Sequence, residues 1–265
     1  MTALSAYVDG IAVIGPGITD WPGAAAILRG ETRYVAAPTL FPLPTALPAA
    51  ERRRTGRVVR LALAVGLEAA TRAELPVAEC LAVFSSSDGD VDNCHEICQT
   101  LASADRQLSP TRFHNSVHNA AAGYWSIAAG SRAASTALCA DDASYAAGLL
   151  EAMVQVGEFA APVLLITYDL DYPPPLAEKH AVPTSFGTAF ALMPRRGARS
   201  IARLSVGIDL APSDHMADDE LERLRIVVPA ARSLPLLARL ARRERGPVSL
   251  DYLGQSTLRV EVEPC

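Results

Sequence analysis

The sequence predicts an α/β fold in which a mixed β-sheet is covered by helices on both faces. Three observations support this fold class. Segments with strand character alternate with helical segments, several strands are apolar throughout, and half of the 265 residues are hydrophobic. Apolar strands of this kind are typical of a sheet that is buried on both faces. The same composition excludes a disordered chain, because it supplies enough apolar residues for a substantial core.

The first elements follow from local sequence patterns. A strand over 6–14 stops at the turn sequence Gly-Pro-Gly, and a short helix over 21–29 ends at a glycine. Four prolines make 38–48 an irregular loop. A long helix is predicted over 52–73, because apolar residues recur there at steps of three and four. Its expected buried stripe is Val58, Leu61, Ala62, Val65 and Ala69.

The rest of the chain continues the alternation of strands and helices. Further strands are predicted over 81–85, 133–138, 162–168, 188–193, 201–208, 248–252 and 257–262. Further helices are predicted over 91–102, 115–129, 144–156, 218–225 and 230–243. The tail is too short for a second α/β domain. We therefore expect one domain over 1–210 and a short C-terminal extension, 211–265, that packs on it.

Composition and charge narrow the possible function classes. The chain has 24 Lys and Arg against 29 Asp and Glu, and this acidic balance argues against nucleic acid as a partner. No apolar stretch approaches the ~18 residues of a membrane helix. The N-terminus lacks the basic and apolar regions of a signal peptide. We therefore expect a cytoplasmic protein without membrane insertion.

Cysteine spacing and cofactor motifs give no support to metal or nucleotide chemistry. Five cysteines, an odd number, argue against a disulfide framework. Cys94, His95 and Cys98 match no familiar zinc spacing. The sequence has no Gly-rich phosphate loop, no Gly-x-Gly-x-x-Gly after a strand and no Gly-x-Ser-x-Gly elbow. We expect neither a metal nor a bound cofactor.

The segment 113–156 carries the most chemical information. It predicts a helix, a glycine-containing turn, a strand, a tight junction that holds Cys139, and a helix rich in small residues. A cysteine at such a junction is a sensible nucleophile, because a helix N-terminus lowers the thiol pKa. Alternatively, the cysteine is a small residue that plugs a tight turn. Asp141 and Asp142 oppose thiolate formation and are interpreted as caps of the following helix.

Two histidines accompany this segment. His114 and His118 are four residues apart and could share one helix face. Capping and helix packing are their alternative roles. One functional hypothesis is therefore a Cys139-dependent enzyme, similar to an acyltransferase or thioesterase, with one of these histidines as the base.

The same segment resembles the N-terminal half of a β-ketoacyl-acyl carrier protein synthase, an enzyme of the thiolase fold. Residues 119–123 and 135–137 match the approach to that family's nucleophile elbow, and 146–152 match the helix after it. Further similar segments are 9–17, 51–62, 163–168 and 186–192. The resemblance covers about the first four-fifths of the chain. It implies a thiolase-like half-fold, with the helix that starts at residue 144 at its centre.

Two departures from that family matter as much as the resemblance. When the helix after the elbow is aligned without a gap, Ala140 occupies the nucleophile position and Cys139 stands one residue early. A shift of one residue turns a side chain away from the pocket. The family's second half also supplies histidines for condensation, whereas this chain has no histidine after His215. We therefore expect no condensing activity from this chain alone.

Short members of this superfamily offer a second functional hypothesis. In residues 10–17, 21, 28–31 and 115–128 the chain resembles the chain-length-factor-like subunits of aryl polyene and xanthomonadin-type pigment clusters. The resemblance implies a non-catalytic partner that pairs with a complete ketosynthase and shapes the tunnel for a growing acyl chain. It also implies that 4′-phosphopantetheine arrives only on an acyl carrier protein. A third hypothesis is a scaffold that only stabilises a biosynthetic complex.

Two surfaces are candidates for these partners. We expect a heterodimer, with a homodimer as the alternative, formed through the strand over 133–138 and the helix before it. The interface candidates are Tyr124, Trp125, Ser135 and Thr136, although Trp125 could instead belong to the core. The candidates for contact with an acidic carrier protein are Arg52, Arg53, Arg54 and Arg57. Their alternative role is a solvated helix face.

Overall fold

The computed structural model describes residues 4–265 of the chain. These residues contain eight strands and nine α-helices. The strands are β1 (Leu4–Ile14), β2 (Leu81–Ser85), β3 (Ser135–Leu138), β4 (Val163–Asp169), β5 (Phe186–Met193), β6 (Ala202–Asp209), β7 (Gly246–Asp251) and β8 (Thr257–Pro264). The helices are α1 (Trp21–Leu28), α2 (Ala49–Arg52), α3 (Arg57–Ala73), α4 (Val91–Ala102), α5 (Pro110–His114), α6 (Ala120–Ala129), α7 (Ser144–Phe159), α8 (Asp219–Val227) and α9 (Leu234–Arg242).

All eight strands form one mixed sheet in the order β3-β2-β4-β5-β1-β6-β8-β7. β2 runs parallel to both β3 and β4. The other neighbouring strands pair antiparallel. The carboxyl ends of the three parallel strands therefore lie side by side at one end of the sheet. In α/β proteins, ligands usually bind beyond such strand ends.

Helices cover both faces of the first five strands in this order. Helices α3 and α6 contribute to one apolar cluster, and α1, α7 and α9 contribute to the other. β6, β8 and β7 are covered on one face only, so their buried and exposed residues alternate. The expected α/β fold is confirmed, and the sheet extends beyond its two-sided core.

The long helix α3 buries the predicted stripe but starts later than expected. Val58, Leu61 and the other residues of the stripe are all buried. The helix starts at Arg57 because Gly56 is its extended N-cap, and Thr55 donates a hydrogen bond to the Arg52 carbonyl. Residues Ala49–Arg52 form the separate helix α2.

The predicted helix over 115–129 is shorter in the structure. α5 ends at His114, and 115–119 form a turn before α6 begins. α5 itself starts after Ser109, whose hydroxyl accepts a hydrogen bond from Arg112 N, with a proline in its first turn. His114 and His118 therefore do not share a helix, and that prediction is wrong.

The C-terminal region packs on the same sheet. The predicted helix over 230–243 divides into a 3-10 turn (Pro229–Ser233) and α9, each with a proline in its first turn. β8 pairs with β6, so the last hairpin extends the sheet of the preceding strands. The division into 1–210 and 211–265 stays a prediction. Within the described residues, no helix is both long enough and apolar enough to cross a membrane.

Candidate functional site

The strand-to-helix junction of the sequence analysis lies between β3 and α7. Cys139 and Ala140 follow β3 and lead into a 3-10 turn over Asp141–Ala143. Asp141 has a φ of +51°, and the other non-glycine residues with positive φ in the described part all end helices. The left-handed conformation at Asp141 produces the sharp reversal from strand to helix.

The side chain of Ser144, rather than that of Asp141 or Asp142, stabilises this junction. Ser144 Oγ donates to the Asp141 carbonyl at 2.6 Å and accepts from Ala140 N at 3.0 Å. No side chain caps the first turn of α7, so the prediction that Asp141 and Asp142 cap it is wrong. Asp142 instead forms an ion pair with Arg232 at 2.7 Å, because the C-terminal region lies beside the junction.

Cys139 is exposed, and its thiol is engaged with the backbone. Sγ lies 2.7 Å from the Ser87 carbonyl oxygen, to which a protonated thiol donates. His118 Nε2 lies 3.2 Å from the neighbouring Ser86 carbonyl. His114 is exposed at the end of α5. Among the hydrogen bonds of residues 4–265, none joins Cys139 to a histidine, so the nucleophile–base pair that an enzyme would need is not assembled.

A buried carboxylate lies at the carboxyl end of β4. Asp169 Oδ1 accepts from Ser87 N and Oγ, both at 2.8 Å, and from Ser86 Oγ at 3.1 Å. Its Oδ2 accepts from Ala230 N at 2.7 Å. Burial raises the pKa of Asp169 to about 6, although these donors oppose the shift. The carboxylate therefore ties the loop after β2 to the C-terminal region.

The C-terminal region closes the crevice at the ends of the parallel strands. Ala230, Ala231 and Ser233 are fully buried in the 3-10 turn over Pro229–Ser233. This turn packs against α7, β4, β5 and the turn at the junction. The space where a ligand would meet the strand ends is filled by the chain itself. The sequence analysis missed this contact, because nothing local links residue 230 to the junction.

Some signal for the polar cluster was present in the sequence. Ser85 ends one apolar strand, Ser86 and Ser87 follow it, and Asp169 ends another. Parallel strands bring their carboxyl ends together, so this pattern would have predicted a shared polar site. Within residues 4–265, no three His, Cys, Asp or Glu side chains are grouped so as to hold a metal.

The outer edge of β3 is open. β3 is the last strand at its end of the sheet and pairs only with β2. The opposite edge strand, β7, is covered by the segment around Asp214. Asp214 N donates to the Ser249 carbonyl, and Ser249 N donates to the Asp214 carboxylate. Ser135 is exposed and Thr136 is half-buried on β3. An open edge can pair with another chain.

The aromatic residues on α6 belong to the core. Trp125 is 2% exposed and meets Phe84 edge to face, with ring centroids 6.2 Å apart. Tyr124 is also buried and donates to Asn115 Oδ1 at 3.1 Å. The prediction that Tyr124 and Trp125 are interface anchors is wrong, and the alternative that Trp125 belongs to the core is confirmed, because α6 turns this side toward α3 and β2. The exposed apolar residues in this region are Phe113, Val117 and Ile127.

The arginine cluster divides into free and engaged members. Arg53 and Arg54 are exposed and Arg52 is half-buried, with Arg54 3.3 Å from Glu51. Arg57 donates to Asp92 and to Asp171, each at 2.7 Å. Hydrogen bonding to Asp92 is the main cause that raises the Arg57 pKa. Arg57 is therefore a structural clamp, and only the first three arginines stay candidates for a carrier protein.

Comparison with protein-family models shows the family to which this chain is related. The model of the beta-ketoacyl synthase N-terminal domain matches residues 30–245. The chain belongs to this family. The match runs from just after α1 through the elbow to the residues after α9, and it confirms the resemblance seen in the sequence. No curated protein sequence matches the chain significantly.

Solved structures share the fold of this ketosynthase-family chain over its full length. One is the complex of the ketosynthase ApeO with its chain length factor ApeC from Xenorhabdus doucetiae, with TM-score 0.74, 21% identity, and coverage of 97% of this chain and 99% of that chain. The ishigamide ketosynthase/chain length factor gives TM-score 0.71 at 14% identity, with 98% and 99% covered. At these identities the likeness shows a shared fold.

A third solved structure includes a carrier protein. It is AntDE:AntF, a type II PKS acyl-carrier protein in complex with its ketosynthase bound to the hexaketide. The TM-score is 0.76 at 13% identity, and both chains are covered completely. The thiolase-like half-fold predicted from the sequence is therefore confirmed.

Proposed function

We propose that this ketosynthase-family chain is a non-catalytic subunit of the chain-length-factor kind. It pairs with a complete ketosynthase in the cytoplasm and shapes the tunnel for an acyl chain in aryl polyene or other polyketide or fatty-acid-type biosynthesis. It takes no cofactor of its own, and 4′-phosphopantetheine reaches the complex on an acyl carrier protein.

The state of the elbow is the observation that carries the proposal. When the helix after the elbow is aligned without a gap, Ala140 takes the nucleophile position, and the adjacent Cys139 thiol donates to a backbone carbonyl. The crevice above the strand ends is filled by residues 229–233. The junction therefore offers an acyl group no assembled nucleophile, which supports a role in binding and shaping.

The open edge of β3 supports the pairing with another subunit. One end of the sheet is covered and the other is free, so the fold leaves a single edge available among the described strands. Phe113, Val117 and Ile127 add exposed apolar surface on α5, on the turn after it and on α6. The chain's likeness to full-length chains from ketosynthase/chain length factor complexes agrees with this role.

The arginines before Arg57 support contact with a carrier protein. Arg52, Arg53 and Arg54 form a basic surface at the end of α2 and in the turn before α3, and only Arg54 has an acidic partner among the described side chains. Acidic surfaces are attracted to such a patch. The AntDE:AntF structure holds an acyl-carrier protein in complex with its ketosynthase, which agrees with a carrier protein as a partner.

A Cys139-dependent acyltransferase or thioesterase is the alternative, and the geometry does not favour it. That mechanism needs a histidine within hydrogen-bond reach of the thiol. Here the thiol and His118 bind the carbonyls of two different residues, and His114 lies on a separate helix.

Reconstitution tests the proposal. The purified chain alone, the complete ketosynthase encoded nearest to it in its genome, and both together are supplied with an acyl primer and malonyl-carrier protein. We expect no decarboxylative condensation by the chain alone, and chain extension of defined length only when both are present. Condensation by the chain alone would overturn the proposal.

Two variants make this test specific. Cys139→Ala in this chain is expected to leave product formation by the pair unchanged, because the thiol is not the nucleophile. Replacement of the partner's elbow cysteine by alanine is the control and should abolish condensation. Loss of product with Cys139→Ala in a folded, paired subunit would favour the enzyme hypothesis.

A further inference from the structure

We infer that two thiols on α4, those of Cys94 and Cys98, form a binding site for Cu(I), a soft cation that is stable with only two ligands. Both cysteines are exposed, and they lie about one turn apart on the same helix. Thiolate sulfur is the ligand that such soft cations prefer. The site goes beyond the proposed function, because neither an acyl chain nor a partner subunit enters the argument for it.

The electrostatic surroundings of Cys94 favour a bound cation. Desolvation of the thiol is the main cause that raises its pKa, and Cys98 and the carboxylates of Asp88 and Asp90 add to the increase. The same carboxylates attract a positive ion, and an ion bound to sulfur lets the thiols lose their protons. The two sulfur atoms and the nearby negative charge therefore act in the same direction.

The helix holds the two cysteines too far apart for a direct disulfide. Residues four apart on a helix have Cβ atoms about 5–6 Å apart, whereas a disulfide requires about 3.5–4.5 Å. The first turn of α4 is fixed, since the Asp90 carboxylate accepts from Asn93 N, and Asn93 Nδ2 donates to the Arg112 carbonyl at 2.8 Å. An ion that bonds each sulfur at about 2.3 Å, the length of a Zn–S bond, joins sulfur atoms up to about 4.6 Å apart. Such an ion fits without unwinding the helix.

The other polar groups of α4 do not complete a four-ligand site. Asp92 and Glu96 each form an ion pair with an arginine. His95 directly follows Cys94, so its side chain leaves the helix about 100° away from that thiol. Among residues 4–265, no third His, Cys, Asp or Glu side chain is grouped with this pair to hold a metal. Because Zn²⁺ requires four ligands, two thiolates alone select a cation of low coordination number.

Competition for Cu(I) tests the inference. The full chain is titrated without oxygen into the coloured Cu(I) complex of bicinchoninate, and the loss of colour measures transfer of the ion. We expect wild type to take up one Cu(I) per chain. Cys94→Ser and Cys98→Ser should each weaken binding roughly a hundredfold or more, because each removes one of two ligands. The matched control is Cys265→Ser, which changes an exposed cysteine after β8 and should bind as wild type does.

X-ray absorption of the copper-loaded chain identifies the ligands and should show two sulfur atoms. Circular dichroism should show that the serine variants fold, because both positions are exposed. Failure of wild type to remove Cu(I) from bicinchoninate would overturn the inference. An equal loss of affinity in Cys265→Ser would overturn it too, because binding would then belong to exposed thiols in general. A nitrogen ligand in the absorption spectrum would contradict a site of two thiolates.

Discussion

At the scale of single residues, the close packing of α7 on the sheet explains why this helix is rich in small side chains. A Cβ atom on Gly148 would lie 2.7 Å from the Ser85 Cβ and 3.0 Å from Leu165 Cδ1. Ser85 is fixed by its hydrogen bond to the Ser144 carbonyl. The helix therefore contacts β2 and β4 with no room for a methyl group.

Gly148→Ala is expected to destabilise the fold by about 1–3 kcal/mol through overpacking, despite the better helix propensity of alanine. Gly157→Ala is the matched control on the same helix. Its added Cβ would meet only Leu4 Cδ2, at 3.8 Å, so we expect no loss of stability. Urea unfolding measures both variants. Equal stabilities would contradict the close packing of α7 on the sheet.

Asp169 links stability to pH. Burial raises its pKa from 3.8 to about 6, so the folded state binds a proton more readily than the unfolded state. The stability from this protonation is fully present below about pH 4 and is lost as the pH rises through about 6. Relative to Asp169→Asn, wild type should therefore lose up to about 3 kcal/mol of unfolding free energy between pH 4 and pH 7.

Urea unfolding of both proteins at several pH values measures this difference. Glu222, whose pKa the hydrogen bond from Arg225 lowers to about 2, is present in both proteins and cancels in the comparison. Parallel stability curves for wild type and variant would show that Asp169 stays ionised in the fold. A gap that widens in favour of wild type as the pH rises would contradict the raised pKa.

At the scale of elements, one arginine joins segments that are distant in sequence. Arg57 at the start of α3 binds Asp92 on α4 through two nitrogens and Asp171 in the loop after β4. Its guanidinium also lies 5.5 Å from the centroid of the Phe41 ring in the proline-rich loop. The sequence placed Arg57 in a basic cluster, and only its tertiary neighbours distinguish it from Arg53.

Arg57→Gln is expected to cost about 1–2 kcal/mol, since two charge-assisted contacts and the bidentate geometry are lost from a site that is 34% exposed. Arg53→Gln is the control and should change stability by less than about 0.5 kcal/mol. Thermal unfolding compares the two. Carrier-protein binding should show the reverse order, with Arg53→Gln the more damaging variant.

At the scale of the whole molecule, the C-terminal residues complete the core. Ala230, Leu236, Leu237 and Val260 belong to the same apolar cluster as Phe190 on β5. Arg232 pairs with Asp142, which connects this region to the elbow, and with Asp251 on β7. A chain that stopped at residue 210 would expose the part of this sheet face that the 3-10 turn over Pro229–Ser233 and α9 cover.

We therefore expect the fragment 1–210 to lack a cooperative unfolding transition, because the apolar face it exposes is too large to leave in water. The fragment 211–265, supplied as a separate chain, should restore the transition if it binds. Calorimetry of the fragment, the mixture and the full chain measures this. A sharp transition for 1–210 alone would show that the tail is a removable extension.

The sequence by itself determined the fold class, the order of the elements and the family. These features follow from apolar periodicity, turn residues and a run of small residues, all of which act over a few positions in the chain. The sequence could not show which aromatic residues of α6 are buried. This helix is apolar on nearly all sides, so only its neighbours decide which side is covered.

Tertiary structure alone decided the state of the site. The contacts that engage Cys139, surround Asp169 and fill the crevice join residues 52 to 90 positions apart, and no local pattern reports such distances. Likewise, the open edge of β3 exists only because the sheet order places a four-residue strand at its end. Local interactions specify the helices and strands, whereas the packing of distant segments specifies which side chains and strand edges stay exposed.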